Sequence, residues 1–121
     1  MKKAVAVLAL VFLAAAVSPS LCMAAGLYNW SGYQKNAYKY FKKADLGSLQ
    51  NLLKSYDQII EKQNGSRETV PPGIYGDYGW LLIKTGRTEE GKALLRKEME
   101  LYPESSTLIM RILKRFEDNE K

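Results

Sequence analysis

Apolar positions recur along the chain at helical spacing, and polar breaks divide them into five segments. Gly32 to Lys43 reads as a first helix, with Tyr33, Ala37, Tyr40 and Phe41 on one face. That shared face assigns Tyr33, Tyr40 and Phe41 to the core. Asp45 suits the N-cap of a second helix, because its side chain can accept from first-turn amides. This helix runs from about Leu46 to Gln63, striped by Leu49, Leu52, Leu53, Tyr56, Ile59 and Ile60. Asn64 and Gly65 are placed to stop it, since both tolerate the left-handed conformation of a C-cap. The prolines of "GSRETVPPG" prevent regular pairing, and Pro72 suits the first turn of the next helix.

The third segment, "GIYGDYGWLLIKT", turns Ile74, Tyr75, Tyr78, Leu81 and Leu82 inward. Gly76 and Gly79 each cost about 1 kcal/mol of helix propensity relative to Ala, which points to a neighbouring helix passing close by. Gly86 ends this helix, and Thr88 caps the fourth. There Leu94, Leu95 and Leu101 can pack, while Arg96, Lys97, Glu98 and Glu100 read as solvated. Pro103 ends it. A fifth helix from about Glu104 carries Leu108, Ile109, Ile112, Leu113 and Phe116 as one stripe, and Asp118 to Lys121 should fray. No segment sustains strand alternation. The fold class is all-α: about five helices in helical hairpins, the last a capping helix.

Before these helices, Lys2 and Lys3 precede an uncharged apolar run from Ala4 to Val17, then Ser18, Pro19 and Ser20. Basic, apolar, then small and polar is the order of a secretory signal peptide. The run is shorter than the roughly 20 apolar residues that a membrane span needs. The division expected is a signal peptide at 1–24 and a helical domain at 25–121, exported by a bacterium. Two processing routes compete. Cys22 and Ala24 are small residues three and one positions before a cut after Ala24, in the A-x-A manner. The alternative makes Cys22 a lipidated first residue. Leu21 is large where that pathway wants a small side chain, and Pro19 stands where Leu is usual, so the local residues favour ordinary cleavage. The product would be periplasmic; the alternative is a membrane-anchored lipoprotein facing the periplasm.

Composition then narrows the chemistry. The 18 Lys and Arg, less Lys2 and Lys3, leave 16 against 13 acidic residues, so net charge falls from +5 to +3. That mixed-sign surface is a poor nucleic-acid footprint. There is no histidine and one cysteine. Cys/His nucleophile pairs, Ser-His-Asp triads and the usual zinc sites are therefore out of reach. No catalytic residue, metal site or cofactor is indicated. Catalysis would rest on carboxylates, Lys or Tyr. Glu89 and Glu90 are adjacent and diverge by about 100° on a helix, so they cannot face each other across a glycosidic bond. They read as first-turn acids favoured by the helix dipole. Asp77, flanked by aromatics, is the one carboxylate that an enzyme reading would use, and it would need an apolar pocket.

The segment from Tyr75 to Pro103 fits the pattern of one tetratricopeptide repeat. Tyr75 takes the aromatic place, Tyr78 and Gly79 the Leu-Gly pair, Leu82 the second aromatic and Gly86 the turn. Gly91 replaces the small Ala, Leu95 is the large apolar residue, Pro103 is the late proline, and Glu98 departs from the expected Ala. The earlier helix pair has the right shape without a residue-by-residue match, and its connection to the next is too long and proline-rich. The reading is one and a half repeats with Leu108 to Phe116 as the cap.

On such a repeat the concave face of the third helix presents Asp77, Trp80 and Lys84, a candidate partner-binding set. Shielding of Trp80 by the first helix is the competing account. Tyr28 and Trp30 precede the first helix and either fold back over the core or meet a partner. "VPPG" is structural rather than a recognised polyproline segment.

The stretches "GLYNWSGYQKNAYKYFKK" and "VPPGIYGDYGWLLIKTGRTEEGKALLRKEMELYPES" resemble a family of short, uncharacterised bacterial lipoproteins, domain of unknown function 4810. The aromatic start (Leu27, Tyr28, Trp30, Tyr33) and "VPPGIYGDYG" carry the likeness. The resemblance implies an exported, repeat-like helical protein without known catalytic activity. Its members look to be encoded beside other envelope lipoproteins, including relatives of the curli secretion channel. It also implies a lipid-bearing cysteine where Cys22 stands, although Leu21 and Pro19 depart from the pattern. The function expected is a non-enzymatic envelope adaptor or accessory subunit with another envelope protein or lipoprotein as partner. No nucleic acid is expected, and a membrane only if Cys22 is lipidated. The alternatives are a carboxylate-based envelope enzyme, or enzyme subunit, and a purely structural lipoprotein.

Overall fold

The computed structural model of the chain describes residues 26–119. The expected signal peptide, its expected cleavage site and Cys22 lie outside the described residues. Five helices follow in order: α1 Tyr33–Lys43, α2 Leu46–Glu61, α3 Ile74–Lys84, α4 Thr88–Leu101 and α5 Ser106–Asn119. A single 3-10 turn, Pro103–Ser105, precedes α5. The described residues contain no strand, so the all-α expectation holds.

Short connections make the hairpins. Between α1 and α2 stand only two residues. Ala44 adopts a left-handed conformation (φ 50°) and donates to the Tyr40 carbonyl at 2.8 Å. Asp45 then accepts from the Ser48 amide at 2.6 Å, the expected N-cap. Between α3 and α4, Gly86 takes φ 94° and the Arg87 amide reaches back to the Leu82 carbonyl at 2.9 Å. This six-to-one closure turns the chain sharply. It leads straight into α4, so Thr88 is already helical and supplies no cap. Arg87 holds the N-cap position without a side-chain bond to the first-turn amides.

The α3–α4 crossing is set by glycine. A Cβ on Gly79 would meet the Gly91 carbonyl at 2.6 Å and the Leu95 amide at 3.1 Å. One on Gly91 would strike the Gly79 carbonyl and the Ile83 side chain. The two glycines let the backbones touch, as the sequence pattern implied for Gly79. Gly76 does not share this role; a Cβ there would meet only side chains, at ordinary contact distance.

Two apolar clusters result. The larger joins Ala37 of α1, Leu52, Tyr56 and Ile59 of α2, Val70 of the loop, and Ile74, Tyr75, Tyr78, Leu81 and Leu82 of α3. The smaller joins Ile83, Leu95 and Ile109, with Ile112, Leu113 and Phe116 packed against it. Burying such a side chain fully contributes about 1.5–3 kcal/mol.

Several expectations fail for identifiable reasons. Helix α2 ends at Glu61, and neither Asn64 nor Gly65 is left-handed. Gly65 is needed for closeness instead, because a Cβ there would lie 2.6 Å from the Leu27 carbonyl and Tyr28 Cα. Pro72 sits before α3, in a turn where the Ile74 amide donates to Pro71 and Gly73 takes φ 91°. That is a type II turn, with Pro and Gly at its second and third positions. Phe41 is 79 % exposed, at the edge of the α1 stripe where no helix covers it. Leu101 is exposed and Leu108 is 62 % exposed, because α5 begins at Ser106 and meets α4 through Ile109 instead. Helix α5 continues through Asp118 to Asn119 rather than fraying from Asp118; the last two residues are outside the described part.

Glu98 is the largest departure. Read as solvated, it is 2 % exposed. Its carboxylate accepts from the Gly73 amide at 2.6 Å and the Gly76 amide at 3.3 Å. Gly73 offers no side-chain cap to α3, so an acid from α4 satisfies the orphan amides.

Candidate functional site

The N-terminal segment is strapped down before the first helix begins. The Ser66 and Arg67 amides donate to the Gly26 and Leu27 carbonyls at 3.0 and 3.1 Å. Asn29 and Gln63 bond reciprocally: the Asn29 amide donates to Gln63 Oε1 at 2.7 Å, and Gln63 Nε2 donates to the Asn29 carbonyl at 3.0 Å. Held by this strap, Tyr28 is half-buried against the body, while Trp30 stays 40 % exposed.

From there a line of aromatic rings runs inward. Tyr28 meets Trp30 edge-on at 6.1 Å, Trp30 meets Tyr33 at 6.1 Å, and Tyr33 meets Tyr56 at 5.4 Å. Tyr56 then stacks on Tyr78 at 4.9 Å, nearly parallel. Two carboxylates tie the line to neighbouring helices. The Tyr78 hydroxyl donates to Asp57 at 2.6 Å, and the Tyr33 hydroxyl donates to Asp77 at 2.9 Å, bridging α1 to α3. Burial, then the Asp57 hydrogen bond, pushes the Tyr78 hydroxyl up to about 12. Burial raises Tyr33 and Tyr56 as well, and the nearby Asp77 charge adds to both.

Between α1 and α3 lies a groove of about 480 Å³. Tyr33, Tyr40, Phe41 and Ala44 form one wall, Asp77, Trp80, Leu81, Lys84 and Thr85 the other, and Leu52 and Tyr56 of α2 the floor. The three residues predicted on α3 thus share one wall. Trp80 is 38 % exposed. It packs on Phe116 of α5 at 5.2 Å, so α5 shields it in part rather than the first helix. The Lys84 ammonium lies over the same ring at 5.4 Å. Tyr28 and Trp30 do not line this groove; Trp30 braces Tyr33 at its end, and Tyr28 packs on Trp30.

Tyr33 and Tyr40 pack half-buried against the core, as their stripe predicts, and also line the groove, whereas Phe41 lines the groove alone; the groove role of all three was missed. Their shared face was the available signal, because an aromatic stripe wider than one neighbour can cover must leave an edge open.

Asp77 stands exposed at the groove wall and accepts from one tyrosine hydroxyl. Glu90 is held by Arg87 through two bonds of 3.0 and 2.6 Å, while Glu89 reaches Lys92 at 3.4 Å. The two acids diverge as first-turn residues of α4. Among the described residues no group of His, Cys, Asp or Glu is placed to hold a metal, and no helix is long and apolar enough to cross a membrane.

Paired antiparallel helices, a close glycine crossing and an aromatic groove define a small all-α protein of packed helical hairpins. The chain belongs to the family described as Domain of unknown function (DUF4810), whose model matches residues 27–112. That match bears out the resemblance carried by the aromatic start and the proline-glycine turn into α3. No curated protein and no solved structure matches the chain.

Proposed function

We propose that this protein is a non-enzymatic, exported cell-envelope adaptor: a small tetratricopeptide-repeat-like accessory subunit that holds another envelope protein or lipoprotein in its groove. The observation that carries this reading is the groove itself. Phe41 and Trp80 stand open to water on its two walls, and large exposed aromatic surface on a small chain marks an interaction site. Aromatic residues with charges at the rim are the composition of protein-binding hot spots. Export rests on the sequence of residues 1–24, and the non-enzymatic reading on the absence of histidine and on an Asp77 exposed to water.

Co-purification from crosslinked envelopes tests the role. A partner captured by the wild type should be lost with Phe41→Ser and retained with Leu108→Ser, since both side chains are exposed but only Phe41 lines the groove. Absence of a reproducible protein partner, or equal loss with both variants, counts against the adaptor. Mass spectrometry of the mature N-terminus decides the processing route. Cleavage after Ala24 predicts a soluble periplasmic form, and Leu21→Gly with Pro19→Leu should move the protein to the membrane fraction. A lipid on wild-type Cys22 would overturn the soluble form and leave the groove reading intact.

A further inference from the structure

The geometry points to a particular occupant of the groove. It is a short amphipathic helix of the partner, lying antiparallel to α3, with an acidic residue against Lys84, apolar residues one turn further on, and a basic residue two turns on against Asp77. This rests on the adaptor reading and specifies the chemistry of its ligand.

The walls set the shape. On α3 the lining residues Asp77, Trp80, Leu81 and Lys84 form a stripe of about two turns, and Thr85 extends it just past the helix end. On α1 the stripe from Tyr33 to Ala44 covers about three turns. Two helices standing apart over a floor of Leu52 and Tyr56 leave a trough that a third helix fits, by the same ridge-and-groove packing that joins the helices beneath it. The volume of about 480 Å³ is that of a ligand-taking cleft. Leu52, Leu81 and the aromatic rings offer the middle of the trough to apolar side chains.

The charges set the direction. Asp77 and Lys84 lie seven residues apart, on one face and separated by about 10 Å along the axis. Asp77 is in the first turn of α3 and Lys84 in its last, the arrangement that suits the dipole of α3 itself. Among the described residues neither is in a salt bridge. Tyr33 binds one oxygen of Asp77, and Lys84 rests on Trp80 at the groove margin. An ordinary helix also carries acids early and bases late. Laid parallel to α3, it would set acid against Asp77 and base against Lys84. Laid antiparallel, it pairs both charges with opposites and opposes the two dipoles.

Calorimetric titration with two helix-forming 14-residue peptides tests this on the chain comprising residues 25–121. One carries Glu, Leu three and four positions later, and Lys at seven; the other exchanges Glu and Lys and is otherwise identical. The Lys-first peptide can pair the same charges only by lying parallel to α3 with the two dipoles aligned, so the Glu-first peptide should bind about twofold to fivefold more tightly at low salt, and a spin label at its N-terminus should broaden amides near Lys84 rather than near Asp77. The order of preference should reverse on the Asp77→Lys, Lys84→Glu double variant, whose helix content is checked by circular dichroism. If that variant unfolds, Lys84→Glu alone should weaken the Glu-first peptide. Equal affinities, preference for the Lys-first peptide, no saturation below about 1 mM, or unchanged binding to Phe41→Ser each overturn the proposal. Partner capture that depends on Phe41 without any preference for charge order overturns this inference and leaves the adaptor standing. Loss of both removes both.

Discussion

Glu98→Ala should be among the most destabilising single substitutions in α4, although Ala is the better helix former and the residue expected there in a tetratricopeptide repeat. The wild-type carboxylate is buried and accepts from two backbone amides at the start of α3. Hydrogen bonds to a charged group contribute about 1.5–3 kcal/mol. The 2.6 Å bond from Gly73 counts in full and the 3.3 Å bond from Gly76 in part, giving roughly 2–4 kcal/mol. Against this, Ala returns a few tenths of a kcal/mol in propensity. It also removes the cost of holding a charge away from water. Gly73 has no side chain to replace the acceptor, so its amide loses its partner unless water enters. The net expectation is a loss of about 2–3 kcal/mol. In urea melts the midpoint should fall by roughly 1–2 M at unchanged slope. Glu98→Gln keeps one acceptor oxygen but points an amide at the second N–H, and should cost about 1–2 kcal/mol. Glu100→Ala, on the exposed side of the same helix, is the control and should change little. If Glu98→Ala lies within about 0.5 kcal/mol of wild type, the cross-helix cap is not a source of stability.

Other consequences follow from close packing and from burial. Gly79→Leu should lose at least about 2–3 kcal/mol in denaturant melts despite its better helix propensity, because its Cβ meets the Gly91 carbonyl and the Leu95 amide; a variant as stable as wild type would refute that crossing. Gly65→Ala should lift the N-terminal strap off its loop, read as faster amide exchange at Asn29, Ser66 and Arg67, since the added carbon lies 2.6 Å from the backbone of Leu27 and Tyr28. Unchanged exchange at all three would count against the strap. Tyr78 has a folded pKa raised from 10.0 to about 12, so its contribution is intact below pH 10 and is lost as pH climbs from 10 to about 12. Stability should fall across that window, and Tyr78→Phe should flatten the fall in part, with Tyr33, Tyr56 and Tyr102 supplying the remainder; an identical alkaline profile would show that Tyr78 titrates normally.

The five helices were legible because each carries a stripe of period 3.6, and the hairpin crossing was legible because a glycine in an apolar helix needs a reason. What escaped depends on partners distant in sequence. Glu98 sits on a polar stretch of α4, and its amide partners stand more than twenty residues earlier. Two signals were present nonetheless: the turn into α3, Pro71 to Gly73, offers no capping side chain, and Glu98 replaces the small residue that the repeat pattern wants. Phe41 escaped for a different reason. Its place at the edge of the stripe is core if α3 closes on α1 and surface if it does not, and the stripe alone cannot choose. The choice is made by the connection between α2 and α3. That stretch is too long and proline-rich for a continuous repeat array. It takes up the N-terminal strap along Lys62 to Arg67 and ends in a type II turn before α3 begins. In a direct repeat stack α1 would lie against α3. Here the two helices are bridged by the Tyr33 to Asp77 bond, and a groove lies between them. The irregularity that interrupts the repeat pattern is therefore also what leaves room for the groove. A shortened α2–α3 loop should close that groove over Phe41 and abolish partner capture without touching a lining residue.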